Sequence, residues 1–359
     1  MTMTELRYRM SFTTPAFLGN AEQSGQWRTP PIKALLRQWW RVVYAGEHRQ
    51  GLNLAAMRHA EGQLFGVAAD SEGDSRKSRL RLRLTHWKPG TLKSWDGLEQ
   101  APVRHPEVER TGYRVGPHAY LGFGPLDGRG GTKLSGKVNA AIAARDEAEL
   151  QIAFPEDAEA DRLRTALSLL NLYGTLGGRS RNGWGSFELA QAQGGSTLLS
   201  ALQTQLVQPW REALSQDWAG AIGRDDQGPL IWQTDVMPDW RAVMRRLAEI
   251  KIALRTLKSF EFPNARSDGR VHPRHWLSYP VTNHEVHEWR GLRLPNTLRF
   301  KVRSGPGGKL RGVIFHMPCK PPAAFGSNVD TLSRVWQQVH QHLDGLKGDR
   351  NIPLDRIAA

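Results

Sequence analysis

A glycine-rich loop at residues 174–186 contains side chains whose types and spacing suit the binding of a polyanion. Its five glycines allow the backbone to adopt positive φ and to approach a ligand closely. Arg179 and Arg181 provide planar cations with several donors, which suit phosphate, and Asn182 adds a further polar group. The indole of Trp184 offers a face on which a nucleobase can stack. This loop therefore predicts a binding site for a phosphate-bearing polymer.

The spacing of these glycines excludes two common nucleotide-binding motifs. A P-loop requires a glycine five positions before Gly-Lys-Ser/Thr, but Tyr173 stands there and Arg179 replaces the lysine. A dinucleotide fingerprint requires three glycines that open a helix, but Glu188 occupies the third position after Gly183 and Gly185. Capping of the preceding helix is the simpler alternative, although this many glycines and polar side chains exceed what a cap requires.

The composition of the chain also favours an anionic partner. Its 359 residues include 49 Lys and Arg against 35 Asp and Glu, a formal net charge of +14 that both halves share. Arginine outnumbers lysine, which suits phosphate contacts and stacking on bases. Such a charge indicates a nucleic acid or an anionic membrane surface as partner. A surface that only confers solubility is the alternative.

The remaining composition excludes several other sites and locations. No apolar run approaches the ~20 residues of a membrane span, and residues 1–10 lack the apolar core of a signal peptide, so we expect a cytoplasmic protein with no membrane partner. The single Cys319 cannot form an internal disulfide or a multi-cysteine zinc site. The segment His284-Glu285-Val286-His287 is one residue short of the His-Glu-x-x-His zinc motif. The sequence therefore predicts no metal site and no cofactor.

A predicted helix at residues 31–45 separates an apolar face from a basic face. The apolar stripe has the spacing that a core requires, whereas the core does not require the basic stripe at i, i+4 and i+8. We therefore interpret the basic stripe as a surface that contacts phosphate. The candidate nucleic-acid-binding residues of this helix and of the segment before it are Arg28, Lys33, Arg37, Trp40 and Arg41.

The order of the predicted elements indicates an α+β fold. In the first half of the chain the order is strand, helix, strand, strand, helix, strand, which is the pattern of two split βαβ units. A similar order is traced more weakly in the second half, after a boundary at 192–196 and a connecting helix at about 197–215. We therefore predict two tandem ferredoxin-like (RRM-like) domains with insertions. Residues 1–191 form the N-terminal domain with the glycine-rich loop, and 192–359 form the C-terminal domain with an irregular insertion at 262–295.

The segment 262–295 is rich in histidine, arginine and tryptophan, and it leaves two functions open. Metal-free cleavage of RNA requires one group that deprotonates the 2′-hydroxyl and another that protonates the leaving oxygen, typically two histidines. The histidines of 272–287 are the best pool for such a pair. The same segment suits binding alone, which needs fewer coincidences. Its candidate RNA-binding residues are Arg270, Arg274 and His275.

Several segments of the chain together resemble the CRISPR-associated RAMP superfamily. They are Thr14–Gly19, Pro31–Arg41, Gly177–Ser186, Arg274–Pro280 and Leu294–Phe300. In this order they are similar to the first RAMP subunit of the type III-B Cmr effector complex. The helix segment and the glycine-rich loop are the most specific of them. One departure is Ala34, which stands where a glycine is usual.

This resemblance implies two ferredoxin-like domains and a non-catalytic subunit of an antiviral ribonucleoprotein. Such a subunit contacts the 3′ region of the guide RNA and the paired target RNA, beside other RAMP subunits, and other subunits cut the target. The residues alone leave two alternatives open. One is a RAMP-family endoribonuclease that uses histidines of 272–287, and the other is a scaffold subunit that binds acidic protein partners.

Overall fold

The structure is a computed structural model of the chain. It describes residues 2–68, 75–109, 115–128, 130–157, 159–192, 204–260, 268–350 and 352–357. The predicted boundary beyond residue 192 and the first part of the predicted connecting helix, 197–203, lie outside these residues.

The chain divides into two compact units. The first unit comprises residues 1–94, 136–180 and 184–206, and the second comprises residues 95–135, 181–183 and 207–359. The two units differ from the predicted domains because 95–135 and 181–183 belong to the second unit although they precede residue 191.

Helices and strands alternate along the whole chain. In chain order they are β1 (Met3–Phe12), α1 (Thr29–Glu47), α2 (Leu54–Phe65), β2 (Arg81–Leu84), α3 (Pro106–Glu109), α4 (Pro117–Gly122), β3 (Leu126–Asp127), β4 (Lys133–Leu134), β5 (Glu147–Pro155), α5 (Ala160–Tyr173), β6 (Phe187–Gln191), β7 (Val207–Pro209), α6 (Trp210–Ala213), β8 (Ile222–Asp225), β9 (Gly228–Pro229), β10 (Ile231–Thr234), α7 (Trp240–Arg255), β11 (Leu298–Ser304), β12 (Leu310–His316), α8 (Val329–Arg350) and β13 (Leu354–Arg356). Short 3₁₀ helices span Arg49–Gly51, Thr204–Leu206, Lys258–Phe260, Pro273–Trp276, His287–Trp289, Pro306–Gly308 and Ala323–Phe325. Among the described helices, none combines the length and the apolar character needed to cross a bilayer.

The first unit contains a four-stranded antiparallel sheet in the order β2-β5-β1-β6. From Leu6 to Phe12 every second residue of β1 is buried, because successive side chains of a strand point to opposite faces. The alternate face carries Arg7 and Arg9 and is exposed. Helix α1 contacts β2, α5 contacts β6, and the two helices pack against each other. The core of this unit therefore lies between one face of the sheet and its helices.

The second unit contains another four-stranded antiparallel sheet, in the order β11-β12-β10-β13. Counted along the chain within each unit, both sheets have the order second, third, first, fourth. In both, a helix follows the first strand and another precedes the fourth. Helix α7 packs on β11 and β12. The mixed helix-and-sheet fold that the sequence predicts is therefore confirmed, with small additional sheets formed by β3-β4 and by β7-β8-β9.

The predicted connecting helix is wrong where the structure describes it. Residues 204–215 contain a 3₁₀ turn, the short strand β7 and the one-turn helix α6. Pro209 explains the difference, because proline lacks a backbone N–H and cannot continue a helix from the preceding turn.

Candidate nucleic-acid interface

Helix α1 positions the basic stripe on a rigid element of the first unit. Prolines in its first turn start the helix without leaving a backbone N–H unused, since those N–H groups have no partner within the helix. Arg28 precedes the helix in an extended conformation and is half-buried. The buried side chains of α1 include Ile32, Leu36 and Trp39. Lys33, Arg37 and Arg41 lie on another face and are half-buried, as the periodicity predicts.

The buried carboxylate of Glu61, on α2, holds two of these cations. Arg41 donates to it twice, from Nε to Oε2 at 2.8 Å and from Nη2 to Oε1 at 2.7 Å, and Arg37 donates from Nε to Oε1. Only 2 % of the Glu61 side chain is exposed, against 42 % for Arg37 and 40 % for Arg41. Burying a carboxylate without a cation costs free energy. Glu61 therefore holds both guanidinium groups in place by hydrogen bonds from the interior side. Their remaining edges are open to a second anion.

Further cations crowd this group, which we call the α1 cluster (Lys33, Arg37, Arg41, Arg58 and Glu61). Burial, followed by the charge of Arg37, lowers the pKa of Lys33. Burial, followed by Arg37 and then Arg58, lowers the pKa of Arg41. The positive charges of four residues therefore repel one another here, and Glu61 binds only two of them. An anion bound at this cluster would relieve that repulsion.

The glycine-rich loop is closed by backbone hydrogen bonds within the first unit. The N–H of Leu176 donates to the carbonyl of Gly185 at 2.9 Å, and the N–H of Gly185 donates to Pro15 at 2.8 Å. Gly185 has a φ of +64°, and a Cβ there would overlap the carbonyl oxygen of Leu176. Gly177 has a φ of +90°, and a Cβ there would lie 2.6 Å from the carbonyl oxygen of Phe17. These glycines therefore permit close backbone packing.

The polar side chains of the loop have different surroundings. Arg179 is exposed, in the left-handed region at a φ of 55°. Arg181 is half-buried and donates to the carbonyl of Asn296 at 2.9 Å. Asn182 is buried: its Nδ2 donates to Leu121 at 2.7 Å, and its Oδ1 accepts from Lys251 Nζ at 2.8 Å. Arg179 therefore lies at the surface, whereas Asn182 makes its hydrogen bonds within the second unit, which corrects the expected role of Asn182.

Two tryptophans expected to stack on bases are fully buried in the first unit. Trp184 packs edge-on against Phe17 with ring centroids 5.3 Å apart. Trp40 donates from Nε1 to Glu159 Oε2 at 3.1 Å and packs against Tyr44. Large aromatic side chains stabilise a protein most when they are buried, and both indole rings are packed in the core. Trp40 and Trp184 are therefore core residues, which corrects the expectation that they contact a nucleic acid.

The RAMP superfamily matches residues 9–188, which include the α1 cluster and the glycine-rich loop. The chain belongs to the RAMP superfamily.

Similar solved structures cover almost the whole RAMP chain. Cmr1 from Pyrococcus furiosus, in a crystal structure of its apo form, is 15% identical with a TM-score of 0.48, covering 100% of this chain and 99% of that one. A chain of the type III-B Cmr-beta complex, in a cryo-EM structure with cognate target RNA, AMPPnP and ssDNA, is 10% identical with a TM-score of 0.47, covering 94% and 98%. No curated protein matches the sequence.

In the C-terminal part of this RAMP protein, two of three candidate RNA-binding residues are buried. Arg270 is exposed. Arg274 is buried and donates from Nη1 to Glu107 Oε1 at 2.7 Å. His275 is buried, and its Nδ1 accepts from the backbone N–H of His272 at 2.9 Å. The structure therefore corrects Arg274 and His275 from ligand contacts to interior groups of the second unit.

Two histidines of the same segment have pKa values far below neutral pH. Burial, followed by the charge of Arg274, lowers the pKa of His275 to about 3. The same causes lower the pKa of His284 to about 4. Both imidazoles are therefore neutral at pH 7 and cannot serve as the protonated acid. His272 is half-buried and lies 2.9 Å from Asp268 Oδ1.

Sequence reasoning missed Glu61, although a signal was present. On α2 this residue follows Met57 by four positions and precedes Leu64 and Phe65, and all three are buried. A carboxylate on the apolar face of a helix must find a cation.

Across the described part of the chain, no group of three or more His, Cys, Asp or Glu side chains is arranged to hold a metal ion.

Proposed function

We propose that this chain is a non-catalytic RNA-binding subunit of a type III-B CRISPR (Cmr) ribonucleoprotein effector. It would contact the 3′ region of the guide RNA, the paired target RNA or both, beside other RAMP subunits in the cytoplasm and without a cofactor. Membership of the RAMP superfamily supports this proposal. The shared strand order of the two sheets supports ferredoxin-like domains in both units.

The observation that best supports RNA binding is that Arg37 and Arg41 both donate hydrogen bonds to the buried carboxylate of Glu61. Arginine presents a planar set of donors that matches phosphate, and here one edge of each guanidinium is already fixed. A prearranged side chain loses less conformational entropy when it binds. Contacts to phosphate carry no base information, so recognition by this surface follows the RNA backbone.

The experiment that tests RNA binding must not add negative charge beside the buried carboxylate of Glu61. Replacing Arg37 and Arg41 by glutamate would place three carboxylates together and unfold the site, so neutral replacement is required. We expect the triple variant R37Q/R41Q/E61Q to lose about tenfold or more in affinity for single-stranded RNA. Since each lost phosphate contact reduces the salt slope by about 0.7 on a single strand, the slope should fall by about 1.4.

The matched control for this experiment is Glu61→Gln alone, which keeps both arginines. It should retain the salt slope of the unaltered chain in the same filter-binding titration. An unchanged slope in the triple variant would contradict the assignment. Binding to partner subunits but never to RNA would favour the scaffold alternative instead.

The non-catalytic part of the proposal rests on the surroundings of the histidines. His275 and His284 are buried and their pKa values are lowered to about 3 and about 4, so neither is a protonated acid at pH 7. Labelled repeat RNA incubated with the purified chain, with and without EDTA, should therefore remain intact. A product that disappears on His272→Ala or His275→Ala would instead establish the endoribonuclease.

A further inference from the structure

A single segment of the first unit carries more positive charge than the rest of that unit. Residues 75–94, which we call the β2 segment, contain seven Lys and Arg and no Asp or Glu. The first unit as a whole has 20 Lys and Arg against 15 Asp and Glu, a net charge of +5. The rest of the unit therefore has a slightly negative net charge, although it contains the α1 cluster, and the β2 segment accounts for the net positive charge of the unit.

Strand β2 presents two of these arginines at the edge of the sheet. Arg81 and Arg83 are exposed, and the residues opposite them on β5 are the uncharged Ala153 and Gln151. The carboxylates further along β5 have other contacts: Glu149 accepts from Gln151 at 2.7 Å, and Glu147 lies 3.7 Å from Arg9. Like charges so close on one face repel each other, and a polyanion removes that repulsion.

Trp87 follows β2 and is the exposed aromatic of this segment. Its side chain is 56 % exposed, although the backbone around it is fixed. The carbonyl of Trp87 accepts from Gln26 Nε2 at 3.1 Å, and the carbonyl of Lys88 accepts from the N–H of Trp27 at 3.1 Å. On the other side, the imidazole of His86 lies 3.1 Å from the carbonyl of Glu147. These hydrogen bonds fix the backbone at Trp87, and the indole is exposed to solvent.

We propose that the β2 segment binds single-stranded RNA, with a base stacked on Trp87 and the flanking phosphates contacted by Arg81, Arg83 and Lys88. This inference rests on the proposed function and adds a second RNA contact to it. Cations beside an exposed aromatic ring are the combination with which proteins bind single-stranded nucleic acid. A protein partner would instead require an apolar core around the indole, and the sequence neighbours of Trp87 are His86 and Lys88.

The test compares single-stranded RNA with an abasic oligomer of the same length and charge. The full chain should bind the RNA more tightly, and Trp87→Ala should remove about tenfold of that preference without changing the salt slope. Trp87→Phe should retain most of the preference. The double variant R81Q/R83Q should lower the affinity for both oligomers and reduce the salt slope by about 1.4.

The control is Phe123→Ala, in the second unit, which removes an aromatic ring that is 58 % exposed. It should leave the preference for bases unchanged. An unchanged preference in Trp87→Ala, or equal binding of poly-glutamate by the β2 segment, would overturn the inference. If the unaltered chain binds no RNA, the proposed function fails. If R37Q/R41Q/E61Q weakens binding while the Trp87 and Arg81/Arg83 variants do not, only this inference fails.

Discussion

Two arginine–glutamate contacts of this protein are built in opposite senses. In the α1 cluster the carboxylate is inside: 2 % of the Glu61 side chain is exposed, against 42 % of Arg37. In the second unit the cation is inside: 3 % of the Arg274 side chain is exposed, against 25 % of Glu107. The sequence predicts the same role for both arginines. Which partner is buried decides whether the arginine can reach RNA.

The difference follows from what each buried group requires. A buried carboxylate draws cations to the surface above it and leaves their outer edges in water. A buried guanidinium is out of reach of a ligand in solution, and Arg274 donates from Nη1 to Glu107 instead. The first arrangement makes a binding surface, and the second stabilises a unit. Variants at the two contacts should therefore separate stability from RNA affinity.

The largest expected effect is on the stability of the second unit. Arg274→Ala removes a buried cation and leaves Glu107 without it, which we expect to lower the free energy of unfolding by about 3 kcal/mol. The affinity of the remaining folded protein for RNA should not change. Denaturant unfolding and RNA titration of the same sample measure both. Reduced affinity at unchanged stability would break the comparison.

The next effect, counted per residue, is a loss of stability in acid. The folded pKa values of His275 and His284, about 3 and about 4, lie below the unfolded value of about 6.5. The unfolded chain therefore binds protons more readily, and stability present above about pH 6.5 is lost as the pH falls toward the folded values. Between pH 7 and pH 5 we expect a loss of about 2 kcal/mol per histidine.

Unfolding curves at several pH values check this effect, and His275→Gln should flatten the pH dependence by one histidine's share. RNA affinity of the α1 cluster should stay constant between pH 7 and pH 6, because arginine remains charged. A fall in the affinity of the folded protein as the pH rises from 6 to 7 would instead indicate that a protonated histidine contacts RNA.

The smallest effect distinguishes the two arginines on Glu61. Arg41→Ala removes two hydrogen bonds to the buried carboxylate, whereas Arg37→Ala removes one. We expect losses in unfolding free energy of about 2 and about 1 kcal/mol, respectively. Both variants should weaken RNA binding. Equal affinity to the unaltered chain in either variant would remove that residue from the interface.

The periodicity of the sequence predicts the placement of side chains on a single element well. The spacing of Lys33, Arg37 and Arg41 correctly places them away from the buried face of α1. The alternation in β1 similarly predicts which residues of that strand are buried. Both patterns are local, because the geometry of one helix or strand sets them.

Contacts between distant parts of the chain set the remaining features. Arg274 is buried because Glu107, 167 positions earlier, accepts its hydrogen bond. Trp184 is buried against Phe17, from the start of the same unit. An aromatic ring or an arginine in an irregular segment has the same local sequence signal whether it faces water or the core. Only the partner, which the local pattern does not name, separates the two cases.

Arginine-specific modification with phenylglyoxal tests the central claim most directly. In the free protein, Arg37 and Arg41 should react and Arg274 should not. Added single-stranded RNA should protect Arg37 and Arg41 at low salt and release them at high salt, while Arg274 remains unreactive throughout. Equal modification of Arg37 and Arg41 with and without RNA, or protection of Arg274 by RNA, would contradict the account.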